Sequence, residues 1–131
     1  MNDPMPSVYI ETSVISYLCA RDSRVADLLA DQEATRLWWE KRNFFCCFVS
    51  NVVIDECGAG HPLAAKKRIA AMHDLPVLMI DERVRKLADL LLNKNIVPAK
   101  ARLDALHIAI ATIHHMNFLL TWNCRHMANG C

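Results

Sequence analysis

Apolar residues along this chain fall in short runs separated by stretches with a helical alternation of apolar and polar positions. The first run, Val8-Tyr9-Ile10, reads as a short buried strand. VISYLCA follows as a brief helix, and RVADLLADQEATRLWWEKRN as a longer one with apolar positions at Val25, Leu28, Leu29, Leu37 and Trp38. The run FFCCFV over 44–49 is too short for a stable helix and is bounded by Asn43 and Ser50, so it reads as a second buried strand. Ser50 suits the N-cap of the helix NVVIDEC, which Gly58 and Gly60 end. His61-Pro62 opens LAAKKRIAAMHD, with proline near the first turn. PVLMI over 76–80 is a third strand, after which Asp81 can cap DERVRKLADLLLNKN. Pro98 introduces AKARLDALHIAIATIHHM, and FLLTW over 118–122 is a fourth strand.

Strands separated by helices pair in parallel, because a parallel pair cannot be joined by a tight turn. The predicted class is therefore α/β, a central parallel sheet with helices on both faces. Ligands of such sheets bind beyond the carboxyl ends of the strands, where strand order reverses. The polar residues that follow the strands are thus the candidates for chemistry.

Glu11 comes first, directly after the VYI strand in VYIETS. It is either a charge attracted to a helix N-terminus or a functional carboxylate. On the NVVIDEC helix, a turn of 3.6 residues puts Asp55 opposite the apolar centre and Glu56 at its edge. Asp55 is expected in solvent. Glu56 is held against the protein, where a carboxylate needs a partner or a cation. Asp104 opens ALHIAIATI, which is apolar nearly all round and predicted to be buried. It is either an N-terminal charge for that helix or a third member of a site. Three carboxylates near one end of a sheet suit a hard divalent cation, Mg²⁺ or Mn²⁺, which takes oxygen ligands and shares them with substrate phosphate. Such a site hydrolyses phosphodiesters. Asn123, just past the fourth strand, adds a carbonyl oxygen to the candidate set.

Length and composition narrow the setting. At 131 residues the chain makes one domain with its own core. The formal charge of +1 makes any basic surface local, with Lys66-Lys67-Arg68, Arg83-Arg85-Lys86 and Lys100-Arg102 as candidates against a plain reading as solvated helix faces. MNDPMPS has neither the basic nor the apolar region of a secretory signal, and no apolar run spans a membrane, so a cytoplasmic protein is expected. Cys19, Cys46, Cys47, Cys57, Cys124 and Cys131 are many for that compartment; Cys46 and Cys47 adjoin in a strand and point to opposite faces, as reduced core residues would. His107, His114, His115, His126 and Cys124 show no zinc-ligand spacing. His107, three residues after Asp104, either backs that acid or fills the core. Trp38 and Trp39 cannot both face inward on one helix, which makes the helix over 24–40 the place to look for a partner.

In this order, YIETSVISYL, SNVVIDEC, LDALHIAIA and LLTWN resemble the PIN domain, and within it the VapC-like toxins of type II toxin–antitoxin systems. The resemblance runs from about residue 8 to about residue 129 and is most specific in LDALHIAIA and LLTWNCRHMAN. It implies a three-layer sandwich with a parallel sheet of four to five strands, an acidic cluster holding Mg²⁺ or Mn²⁺, and metal-dependent endoribonuclease activity on RNA. By this resemblance Glu11 takes the place of the usual first aspartate, Glu56 matches the glutamate on the helix after the second strand, and Asp104 the acid opening the long buried helix. Thr12 or Ser13 would hold a water or a phosphate, and Thr121 belongs to the motif after the fourth strand. A cognate antitoxin and a homodimer are implied as well. This chain departs in having Glu for Asp at 11 and Asn for Asp at 123, and it stops at ANGC where PIN domains continue. Those departures motivate an alternative, a catalytically inactive PIN-like module that binds RNA or a protein.

Overall fold

The computed structural model describes residues 4–97 and 101–123. Four strands form one parallel sheet: β1 (Ser7–Ile10), β2 (Cys46–Ser50), β3 (Val77–Leu78) and β4 (Phe118–Leu120), in the order β3-β2-β1-β4. Between them run α1 (Thr12–Cys19), α2 (Ala26–Glu40), α3 (Asn51–Cys57), α4 (Pro62–Ala71), α5 (Glu82–Asn93) and α6 (Arg102–Ile113). The α/β class expected from the sequence is the one observed. No helix among the described residues is long and apolar enough to cross a membrane.

Successive crossovers move one way from β1 to β2 to β3, and the last returns past both to set β4 on the far side of β1. Right-handed crossovers then assign α1–α4 to one face and α5–α6 to the other. Helix α1 lies against α2, α3 and α4, α5 lies against α6, and α3 also touches α6. Strand order thus reverses between β1 and β4, and the crevice at their carboxyl ends is the expected ligand position. Tyr9 and Ile10 of β1, Val49 of β2, Ile15 of α1 and Ile110 of α6 are fully buried, which fixes the sheet between its helices. Each such side chain contributes about 1.5–3 kcal/mol by leaving water.

Several elements are shorter than the apolar runs that predict them, and hydrogen bonding explains why. Phe44 belongs to a 3-10 turn over Arg42–Phe44 and is largely exposed; the β2 ladder starts at Cys46, whose N–H reaches Pro6 O at 2.9 Å and whose partner is Ser7. PVLMI contributes only Val77 and Leu78, which pair with Val49 and Ser50, because β2 turns into α3 after Ser50 and leaves Met79 and Ile80 no ladder to join. Helix α2 covers 26–40 of the predicted 24–43, and its buried residues are Gln32 and Thr35, whereas Val25 and Leu37 are 63% and 61% exposed. Gln32 is held inside by bonds to Ser23 N and Arg21 O, so a polar side chain takes the place expected of an apolar one. Trp38 and Trp39 are both half-buried; Trp38 packs on Phe45, and the Arg42 guanidinium covers Trp39 at 4.6 Å. Cys47 is buried and Cys46 partly so, and the four described cysteines are free thiols. Cys124, Cys131, His126, Lys100 and the ANGC end lie outside the described residues.

The predicted helix over 99–116 is shorter at its end, stopping at Ile113. His115 takes a left-handed φ of 56°, with His115 N bonded to Thr112 O and Met116 N to Ala111 O. Asn95 closes α5 in the same way, its φ also 56°. This is the usual helix stop made by glycine, here built on residues that carry a Cβ. Replacing His115 with glycine is therefore expected to stabilise the protein by about 1 kcal/mol, read as a higher urea midpoint at unchanged slope.

Candidate functional site

The end of β1 supplies the centre of a polar network. Glu11 N continues the ladder to Leu120 O at 3.0 Å, and the next residue starts α1. Glu11 is 5% exposed, and its Oε1 accepts from Ser13 N at 3.0 Å, from the Ser13 hydroxyl, and from Thr121 Oγ1 at 2.7 Å. Glu11 is accordingly the N-cap of α1. Every one of these bonds falls on Oε1. Among the described residues no buried side-chain oxygen lacks a partner, so Oε2 is within reach of solvent.

The other two acids meet this end of the sheet from different helices. Asp104, in the first turn of α6, is 7% exposed, and its Oδ1 accepts from Asn123 Nδ2 at 2.8 Å. Asn123 N in turn donates to Thr121 Oγ1 at 2.8 Å, which joins Asp104 to Glu11 through the residues that follow β4. An aspartate at 123 would set a second negative charge where Asp104 now receives a hydrogen-bond donor. Glu56, on the last turn of α3, accepts on Oε1 from Thr12 Oγ1 and His107 Nε2, both at 2.8 Å. Asp55 is exposed, as the helical geometry predicts. Thr12 and Ser13 thus bind the carboxylates themselves, where the sequence suggested a water or a phosphate.

His107 backs Glu56 and not Asp104. It is 1% exposed, and its Nδ1 meets Tyr9 Oη at 2.7 Å, which meets Ser50 Oγ at 2.7 Å. A carboxylate only accepts, so Nε2 carries the proton; in the neutral imidazole Nδ1 then accepts from Tyr9, and Tyr9 accepts from Ser50. Ser50 meanwhile caps α3 by accepting from Val53 N at 3.3 Å. The chain Ser50, Tyr9, His107, Glu56 crosses the core from β2 to α3 through β1 and α6. Burial, with the Glu11 and Glu56 charges adding to it and the Ser50 bond opposing, pushes the Tyr9 hydroxyl well above its usual range. Tyr9 is therefore a neutral donor. Neither Tyr9 nor His107 is distinguished by a motif; the available signal was a tyrosine and a histidine inside apolar segments, each needing a buried partner.

Burial alone would raise the Glu56 carboxyl, but the bonds from His107 and Thr12 outweigh it and hold Glu56 below its ordinary value of 4.5. A depressed carboxyl stabilises the fold above its unfolded value and loses that contribution as pH falls through the folded one. In chelator, the stability gap between the wild-type protein and Glu56→Gln is expected to be widest near neutral pH. It should close as the solution is acidified past the ordinary glutamate range. Urea midpoints at a series of pH values check this, and a gap independent of pH would show that the bonds to Glu56 do not favour its charged form.

Beside the acids, Trp122 N donates to Ser13 Oγ at 2.8 Å, and the indole stacks on Tyr17 while its Nε1 donates to Thr35 Oγ1 at 2.8 Å. These contacts tie the chain after β4 to α1 and α2.

The donor set is chemically suited to a hard divalent cation, being oxygen from carboxylates, with bonds concentrated on one oxygen each in Glu11 and Glu56. Among the described residues, no three His, Cys, Asp or Glu side chains stand close enough together to form a ligand cage. Hydrogen bonds through Thr121 and Asn123 connect Glu11 with Asp104, and Glu56 is held by Thr12, the residue that follows Glu11. Compared with protein-family models, with curated proteins and with solved structures, the chain matches none.

Proposed function

We propose that this protein is a metal-dependent endoribonuclease of the VapC-like PIN type, hydrolysing RNA phosphodiester bonds as the toxin of a type II toxin–antitoxin pair. The observation that carries the reading is the meeting of three acids after the strands, with Glu11 and Asp104 joined through Thr121 and Asn123 and Glu56 held by Thr12, beside the reversal of strand order. Two buried acids, Glu11 and Asp104, and the half-buried Glu56, each oriented by a hydroxyl, an amide or an imidazole, are costly for a protein that uses them only for solubility.

Glu11, Glu56 and Asp104 would hold Mg²⁺ or Mn²⁺, whose chemistry is to lower the pKa of water and neutralise charge on the phosphate. The chain's own contribution is orientation. Ser13 and Thr121 fix Glu11, Asn123 fixes Asp104, and Thr12 with His107 fixes Glu56. A cognate antitoxin and a second copy of the chain are the partners this reading carries, and the exposed Leu37 on α2 supports that helix as a contact surface.

A second reading, an inactive PIN-like domain that binds RNA or protein, is favoured by the absence of a three-residue ligand cage among the described residues. Incubating the purified protein with mixed-sequence single-stranded RNA separates the two. Cleavage in Mn²⁺ that stops on adding chelator is the expected result. Intact RNA with a folded sample in Mn²⁺ would overturn the nuclease and favour the binding module.

A further inference from the structure

A groove of about 800 Å³ lies between the C-terminal part of α1 and helix α4. Arg21, His61, Lys66, Lys67 and Arg68 line it, and no acidic side chain does so among the described residues. Four of the chain's 15 lysines and arginines therefore meet in one depression of a protein whose net charge is only +1. Three cations elsewhere are paired, Arg36 with Asp22, Arg83 with Asp81 and Lys86 with Glu82. Lys66, Lys67 and Arg21 are exposed and enter no ion pair among the described residues. Arg68 is built into the wall, donating from Nε to Cys57 O at 2.8 Å and from Nη2 to Ala59 O at 2.7 Å. Its charge is thus fixed at the end of α3, the helix that also carries Glu56.

The groove and the acidic cleft share helix α1. Ser16 lines the groove, and Ser13, less than one turn earlier, holds Glu11. We propose that this groove carries the sugar–phosphate backbone of single-stranded RNA to the cleft, with Arg21, Lys66 and Lys67 meeting its phosphates. The proposal rests on the nuclease reading for its direction, toward Glu11. Between the cations the lining is small or aliphatic, as at Ala20, Leu63 and Ala64, and among the described residues it holds no Phe, Tyr or Trp ring on which a base could stack. Binding is therefore electrostatic and tolerant of sequence, and selection of a cleavage site falls to the cleft. An acidic protein segment would satisfy the same charges, but it would gain nothing from their sharing a helix with a cluster of carboxylates. A strand destined for cleavage must pass both.

The test is the binding of a fluorescein-labelled oligouridylate, measured by anisotropy in chelator across a salt series. In the Lys66→Ala/Lys67→Ala double variant, affinity at low salt is expected to fall by about tenfold or more and the salt slope to shrink by about 1.4. Lys66→Arg/Lys67→Arg should bind as wild type, and so should Lys86→Ala. Wild-type affinity and slope in the double alanine variant would overturn the groove and leave the nuclease reading untouched. Failure of the wild-type protein to bind the oligouridylate, or tighter binding of an oligoglutamate, would overturn it in favour of a protein partner. Groove-dependent binding without Mn²⁺-dependent cleavage would uphold the groove and overturn the nuclease.

Discussion

Asp104→Asn is expected to lower Mn²⁺-dependent RNA cleavage by about a hundredfold to a thousandfold while leaving the fold intact. The substitution keeps the size of the side chain and an oxygen for Asn123 Nδ2, while removing the negative charge and one carboxylate oxygen. Asp104 also sits in the first turn of α6, where a negative charge favours the helix dipole by about 0.3–1 kcal/mol. If helix stabilisation were its whole role, the variant would lose up to that much stability and no activity. A carboxylate that holds a cation gives the opposite result, with rate lost far beyond stability. Comparing initial cleavage rates with urea midpoints in the same preparations distinguishes the two, and equal cleavage by both proteins would assign the activity elsewhere.

His107→Ala is expected to cost about 3 kcal/mol of stability, the largest effect of any single side chain around the site. His107 is fully buried with both ring nitrogens bonded, so its loss leaves a cavity and withdraws a partner from Tyr9 and from Glu56. Ser50 still bonds Tyr9 and Thr12 still bonds Glu56, which keeps the loss below the sum of a full cavity and two orphaned groups. Tyr9→Phe breaks the same chain one link earlier, so the double variant should be less destabilised than the two single losses added together. Urea denaturation measures all three. A loss under about 1 kcal/mol for His107→Ala would mean that the buried chain adds little to the fold.

The division between what the sequence predicts and what the structure adds follows the range of the interactions. Apolar runs and caps are local, and they locate VYI, the Ser50 cap, the His61-Pro62 start and the Asp81 cap within the structure's own elements. Strand length is not local. PVLMI has the composition of a five-residue strand but pairs over only Val77 and Leu78, because its neighbour ends at Ser50. Helix faces are legible where one stripe dominates, as for Asp55 and Glu56. They mislead on α2, where Gln32 and Thr35 are buried by bonds to distant backbone and side-chain atoms. Glu11, Glu56 and Asp104 were visible as carboxylates placed where burial should make them costly. The chain through Tyr9, His107 and Ser50 was not, since its links are 98, 51 and 41 residues apart in sequence and follow no spacing rule. Sequence proximity offers His107 either Asp104 or a place in the core; the fold buries it and bonds it to Glu56.

The central claim is that Glu11, Glu56 and Asp104 act together as one cation site. Titration calorimetry of the purified protein with Mn²⁺, beside Asp104→Asn, tests it without reference to RNA. The account predicts saturable Mn²⁺ binding by the wild-type protein that is lost or greatly weakened in the variant. Identical titrations of the two folded proteins, or no saturable binding by the wild type, would contradict it.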